Sequence, residues 1–173
     1  MSNPNEIQRI TRILNGDSEL YGELIDRYKT GLYYHCFTII CDEDAAEDIA
    51  QETFITAYRN LKKYDQKHAF STWLYKIATR KAIDHLRKRR TVPLQEQTLA
   101  TITSTQPGPD RSAVYREMQD AVNNLRPKYR SAINLYYWQG KSYDDIATIM
   151  GTSVSSIKVW LHRAKQQLKK ELS

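Results

Sequence analysis

The sequence predicts an all-α fold: two small helical domains joined by a flexible linker, the C-terminal one carrying a helix-turn-helix. Three observations carry this. First, no stretch sustains the period-two alternation of a half-buried strand, whereas apolar residues recur at spacings of three and four. Second, residues 93–110, PLQEQTLATITSTQPGPD, are rich in Thr, Ser, Gln and Pro and nearly uncharged, and Pro107-Gly108-Pro109 blocks a helix. Third, Ser142–Leu168 reads as a helix, a tight turn and a second, basic helix. The domains are therefore expected at 1–92 and 111–173.

Taken in order, helices are expected over Pro4–Asn15, Ser18–Cys41, Asp44–Leu61, Ser71–Arg90, Arg111–Leu125, Lys128–Trp138, Tyr143–Met150 and Val154–Glu171. The opening MSNPNEIQRITRIL has no apolar signal core, so a cytoplasmic protein is expected. No apolar run approaches the ~20 residues of a membrane span. The second helix carries Cys36 and Cys41 in an apolar stretch beside His35. One histidine and two cysteines at this spacing match no zinc pattern, so both cysteines read as reduced packing residues. In the third, Ala46, Ile49, Ala50, Thr53, Ala57 and Leu61 form an inward stripe. Asp44, Glu47, Asp48, Gln51 and Glu52 lie away from it. Acids in the first turn serve the helix dipole. Asp48, Gln51 and Glu52 lie too deep for that. They read either as a solvated face or as a docking surface for a basic partner.

The fourth helix follows a polar, basic segment, LKKYDQKHAF, expected to be irregular. Along it Trp73, Lys76, Arg80, Asp84 and Arg87 form one stripe, and Leu74, Ile77, Ala78 and Ala82 form the apolar one beside it. A basic stripe carrying a tryptophan suits melted nucleic acid: charge tracks phosphates and an aromatic plane stacks bases. The adjoining loop is placed to receive an unstacked base. The competing reading of Trp73 is a partly buried core residue.

In the helix-turn-helix, Ser142 is expected to cap the first helix, with Asp145 completing a capping box. Gly151 suits the left-handed position that ends it. Ser153 is expected to cap the next, where Val154, Ile157, Leu161, Ala164 and Leu168 face inward. Ser155, Ser156, Lys158, Val159, His162, Arg163 and Lys169 are left on the other face. Lys158, Val159 and His162 are expected against base edges. Ser155, Ser156 and Arg163 are better placed for phosphates.

Charge is unevenly spread over a chain that is 40% hydrophobic, 27% charged and +6 net. Residues 19–61 carry nine Asp or Glu against three Lys or Arg. Residues 62–92 carry ten Lys or Arg against two Asp, and the chain from Ser153 onward carries five against one Glu. A simple repressor needs one basic patch. Two basic patches and an acidic block suggest two DNA contacts and a protein partner.

Three segments in this order, AAEDIAQETFITAYRNL, FSTWLYKIATRKAIDHLRK and LRPKYRSAINLYYWQGKSYDDIATIMGTSVSSIKVWLHRAKQQLKK, resemble a bacterial RNA polymerase sigma factor of the extracytoplasmic-function (ECF) group. Such proteins keep regions two and four, joined by a linker. The resemblance implies that Asp48, Gln51 and Glu52 dock the clamp coiled coil of core RNA polymerase. It implies that the loop Lys62–Phe70 and the helix after it open and read the minus-ten element, with Tyr64, Lys67, Trp73, Lys76, Arg80 and Arg87 as DNA contacts. The recognition helix would read the minus-thirty-five element, other surfaces of region four would hold the polymerase flap, and the linker would thread the RNA exit path. The partners implied are core polymerase and promoter DNA, both duplex and melted. An anti-sigma factor is typical of the group and would hold the chain at the membrane without inserting it. A stress or envelope response is the expected setting. The chain departs from the family where Arg80 replaces a frequent Asn, Trp160 replaces a frequent Arg or Lys, and Ser155-Ser156 replaces Gly-Thr. Fold and role therefore transfer, but the promoter sequence does not.

Two rivals explain less. A dimeric helix-turn-helix regulator accounts for Ser142–Leu168 but not for the second basic stripe or the acidic helix, and it requires a palindromic site. A small recombinase needs a nucleophile with arranged basic neighbours in residues 1–92. The tyrosines there interleave with apolar helix positions instead. No catalytic residue, metal ligand set or cofactor is expected.

Overall fold

The computed structural model describes residues 4–91 and 120–172 of the chain. The linker expected at 93–110 and most of the helix expected over Arg111–Leu125 lie outside the described residues. The remainder is helical throughout.

Helix α1 (Pro4–Leu14) turns Ile10 and Ile13 inward. It also buries Glu6, whose carboxylate accepts the Tyr28 hydroxyl at 2.5 Å and lies 3.7 Å from the Arg27 guanidinium, so the charge is not stranded. Helix α2 (Leu20–Ile40) ends at Cys41, which takes φ 58°. A non-glycine residue there costs about 1–2 kcal/mol, so something beyond local preference sets this stop. Helix α3 (Glu43–Arg59) starts at Asp42, whose side chain accepts the Ala45 N–H at 3.0 Å. It ends earlier than the expected Leu61 because Asn60 folds its amide back onto the Thr56 carbonyl. A 3-10 turn, Leu61–Lys63, and an irregular loop lead into α4 (Phe70–Thr91).

Helix α5 (Pro127–Ile133) opens on proline, whose fixed φ and missing N–H suit a first turn. The sequence predicts one regular helix from Lys128 to Trp138. Instead the chain widens into a π turn at Asn134–Trp138, with the Gln139 N–H bonded to the Asn134 carbonyl. Gly140, at φ 61°, then closes it. Tertiary contacts of Gln139 and buried Asn134 prevail over the regular helical period here. Helices α6 (Tyr143–Met150) and α7 (Val154–Glu171) form the helix-turn-helix within their expected bounds.

The core is one cluster running through both halves, from Ile10, Leu24 and Leu74 to Leu135, Ile146 and Ile157. Each such side chain contributes roughly 1.5–3 kcal/mol by leaving water. In the N-terminal half α2, α3 and α4 pack on one another. Across the seam α4 lies on α6 and α2 on α5. Among the described residues no helix is long and apolar enough to cross a membrane. Both cysteines are free, with Cys36 buried and Cys41 half-buried.

Candidate nucleic-acid and protein interfaces

Packing α3 on α2 and α4 leaves its acidic side outward. Asp48, Gln51 and Glu52 are all exposed. Gln51 donates to the Glu47 carboxylate at 3.3 Å, and Glu52 pairs with Lys81 of α4 at 3.1 Å. One turn further, Ile55 and Tyr58 stand 51% and 45% exposed. They border an apolar groove of about 440 Å³ lined by Tyr21, Ile25 and Phe54. The acidic surface therefore continues into an apolar one. Sequence reasoning missed Ile55 and Tyr58. The available signal was their position outside the Ala46–Leu61 stripe.

The loop before α4 is organised by its own side chains. The Tyr64 hydroxyl donates to the His68 carbonyl at 2.7 Å, and the Asp65 carboxylate accepts the Lys67 N–H at 3.0 Å. Tyr64, Phe70 and Trp73 form an aromatic cluster with centroids 5.5–5.8 Å apart. Phe70 is buried, while Tyr64 and Trp73 are half-buried. Trp73 is thus held by its neighbours and still reaches the surface. Lys76 is half-buried, and Lys67, Arg80 and Arg87 are exposed, Arg87 pairing with Asp84 at 3.0 Å. Charge and aromatic surface meet where the loop enters α4.

The helix-turn-helix is built by its caps. Ser142 Oγ accepts the Asp145 N–H at 3.1 Å and donates to the Asp145 carboxylate at 2.7 Å. Gly151 takes φ 64°. Ser153 Oγ accepts the Ser156 N–H at 3.1 Å. Ile157, Leu161 and Ala164 are buried, and Val154 and Leu168 are half-buried beside them. Ser155, Lys158, Val159, His162 and Arg163 are exposed together on the outer face. Ser156 is set differently: its hydroxyl lies 3.0 Å from that of Ser153, inside the cap. Arg163 leans on Tyr129 of α5, and its hydrogen bond holds that phenol below the ordinary range. Trp160 is half-buried, with Lys128 Nζ 5.1 Å from its ring centre, so its ring packs against the start of α5.

Residues 24–92 match the family model Sigma-70 region 2, and residues 115–168 match Sigma-70, region 4. The chain is 32% identical to the ECF RNA polymerase sigma factor SigW of Bacillus subtilis over 95% of both chains. The chain belongs to the ECF group of RNA polymerase sigma factors. This sigma factor is also 29% identical to the RNA polymerase sigma-H factor of Pseudomonas aeruginosa, over 95% of this chain and 92% of that one. Its fold is similar to that of the sigma factor RpoE of Bartonella quintana, solved in complex with the anti-sigma factor NepR. The TM-score is 0.77 at 25% identity, covering 88% of this chain and 96% of that one. CnrH, solved with the cytosolic domain of CnrY, shares the fold at TM-score 0.67 and 21% identity over 95% and 94% of the two chains. This sigma factor accordingly acts in transcription initiation, binding core RNA polymerase and directing it to promoters.

Proposed function

We propose a division of labour between residues 1–92 and 111–173. The first segment docks the polymerase clamp through Asp48, Gln51 and Glu52, the contact extending over Ile55 and Tyr58. It then opens and reads the minus-ten element through Tyr64, Lys67, Trp73, Lys76, Arg80 and Arg87. The second reads the minus-thirty-five element. There Lys158, Val159 and His162 meet base edges while Ser155 and Arg163 meet phosphates. Ser156 supports the helix start rather than a phosphate. Residues 93–110 connect the two segments.

The observation that carries the reading is the Tyr64–Phe70–Trp73 cluster at the mouth of a basic helix. Unstacking a base costs a few kcal/mol, and an aromatic face offsets it by about 1–3 kcal/mol per base. The chain has no catalytic step of its own, since the polymerase makes the bonds. We place it in the bacterial cytoplasm, in a stress or envelope response. An anti-sigma partner of the kind crystallised with RpoE would restrain it. The test is transcription of genomic DNA by core polymerase with and without this protein, mapping start sites. A shared upstream motif at protein-dependent starts is expected. Starts that do not depend on the protein would refute the reading.

A further inference from the structure

Where α5 packs on α7, the two helices share a cationic cluster outside the base-reading face. Lys128 Nζ lies 5.3 Å from the Tyr129 ring centre and 5.1 Å from that of Trp160, so rings from both helices hold one ammonium. Lys128 is nonetheless exposed, as are Arg126 and Arg163. The Tyr129 ring is buried, and its hydroxyl ends among these three cations. The hydrogen bond from Arg163 does most to hold that phenol's pKa below its ordinary range, and the three positive charges add to it. Among the described residues no carboxylate forms an ion pair with any of the three.

Cations gathered around one hydroxyl without an acid among them favour an anion. The hydroxyl itself suits one. Its oxygen accepts from Arg163, and its own proton is left to donate outward.

Position says which anion. The base-facing direction of α7 runs along Lys158, Val159 and His162. At about 100° per residue, Arg163 stands roughly a quarter turn from the middle of that face, and Trp160 further round toward α5. A helix about 10–12 Å across fills a major groove about 12 Å wide, so side chains a quarter turn from the bases meet a wall of phosphates. Lys128 extends that edge from a second helix.

We propose that Lys128 and Arg163, gathered around the Tyr129 hydroxyl, grip the DNA backbone beside the upstream element, with Lys128 a phosphate contact supplied from outside the recognition helix. The proposal deepens the assignment of α7 to that element and rests on it. Tyr129 and Trp160 are positioning residues. Their rings hold the ammonium at the groove edge before DNA arrives, so less side-chain freedom is lost on binding. A phosphate carries no sequence information, so this grip sets the register of α7 while Lys158, Val159 and His162 read the bases.

The test uses core polymerase carrying the full chain, bound to a promoter fragment with an intact upstream element. Lys128→Met keeps an apolar stem against Trp160 and removes the charge, so its thermal melt should match wild type. Affinity should fall roughly three- to tenfold for all upstream sequences alike, and the slope of log K against log salt should flatten by about one. Lys128→Arg should restore the slope. Uncharged methylphosphonates, placed one at a time along the upstream backbone, should include a position that weakens wild type and leaves Lys128→Met indifferent. A lysine that only packs α5 on α7 moves neither readout. An unchanged slope in Lys128→Met beside a flattened one in Arg163→Ala overturns the proposal alone, as does the absence of any such methylphosphonate position. Unchanged slopes in both variants overturn the assignment of α7 to DNA as well.

Discussion

Lys81 reaches from α4 to Glu52 on α3, its ammonium 3.1 Å from the carboxylate, and so joins the basic helix to the acidic one. Lys81 is half-buried, while the Glu52 side chain is 64% exposed. An ion pair this open to water contributes only about 0–1 kcal/mol. Glu52 is therefore spare for a partner, and its replacement tests binding rather than folding.

Asp48→Arg combined with Glu52→Arg should weaken binding to core polymerase by roughly 10- to 100-fold, because like charges then meet across the interface. Stability should change by no more than about 1 kcal/mol. Titration of labelled factor with core enzyme, beside thermal melts, separates the two effects. Equal affinity at matched salt removes this face from the interface.

The apolar continuation of that face makes its own prediction. Ile55→Ser and Tyr58→Ser should each lower polymerase affinity, with the stability of Ile55→Ser near wild type because that side chain is half in water already. The Tyr58 ring packs at a tilt against Tyr21, centroids 4.9 Å apart, so a stability loss of up to about 1 kcal/mol is expected for Tyr58→Ser. Unchanged affinity in both variants would confine docking to the acids.

Trp73→Ala should slow open-complex formation more than it weakens initial promoter binding, and a pre-melted minus-ten bubble should restore part of the loss. Trp73→Tyr keeps an aromatic face against Tyr64 and Phe70 and should retain much of the activity. Permanganate footprinting of unpaired thymines provides the measurement. Equal impairment on duplex and pre-melted templates would assign Trp73 to the core instead.

On α7 the outward residues should separate by role. Lys158→Ala and His162→Ala should each cost about 1–3 kcal/mol and relax preference at one base position. Arg163→Ala should weaken all sequences alike and shallow the salt dependence. Start-site selection on a randomised upstream element reads both. An unchanged selected sequence in the first two variants would show that this face does not read bases.

Stability should also depend on His35. It is fully buried, its Nε2 lies 2.8 Å from Thr79 Oγ1, and Thr79 spends its one proton on the Tyr75 carbonyl. Nε2 therefore carries the hydrogen in the neutral ring. Burial pushes its pKa down to about 4, against a smaller upward pull from Asn134. The unfolded imidazole titrates near 6.5. Stability is then fully present above about pH 6.5 and falls as pH drops toward 4, by up to roughly 3 kcal/mol. Urea melts between pH 7.5 and 5.5 should show this slope in wild type and a flatter one in His35→Gln. Equal slopes would mean that another group titrates.

Much of this molecule was legible because its signals are local. Ser142, Asp145, Gly151 and Ser153 lie within a dozen residues, and their capping bonds reach only three positions along the chain, so the helix-turn-helix could be read directly. The inward stripes of α3 and α7 follow from helical period alone. The exposed face of α7 followed as the complement of its stripe.

What only the tertiary structure decided involves residues far apart in sequence. The carbonyls that hold Arg130 belong to Thr38 and Ile39, more than ninety positions away, and no periodicity marks a buried arginine. The π turn at Asn134–Trp138, the seam from Tyr75 to Gln139 and the half-buried setting of Trp73 arise in the same way. So does the apolar surface at Ile55 and Tyr58. The sequence by itself determined most of the helices and their polarity, and the caps of the helix-turn-helix, because backbone hydrogen bonds and side-chain period act over three or four residues. Where the two halves meet was decided by the tertiary structure, because burying a charge or widening a helix turn depends on partners that only the folded chain brings within reach.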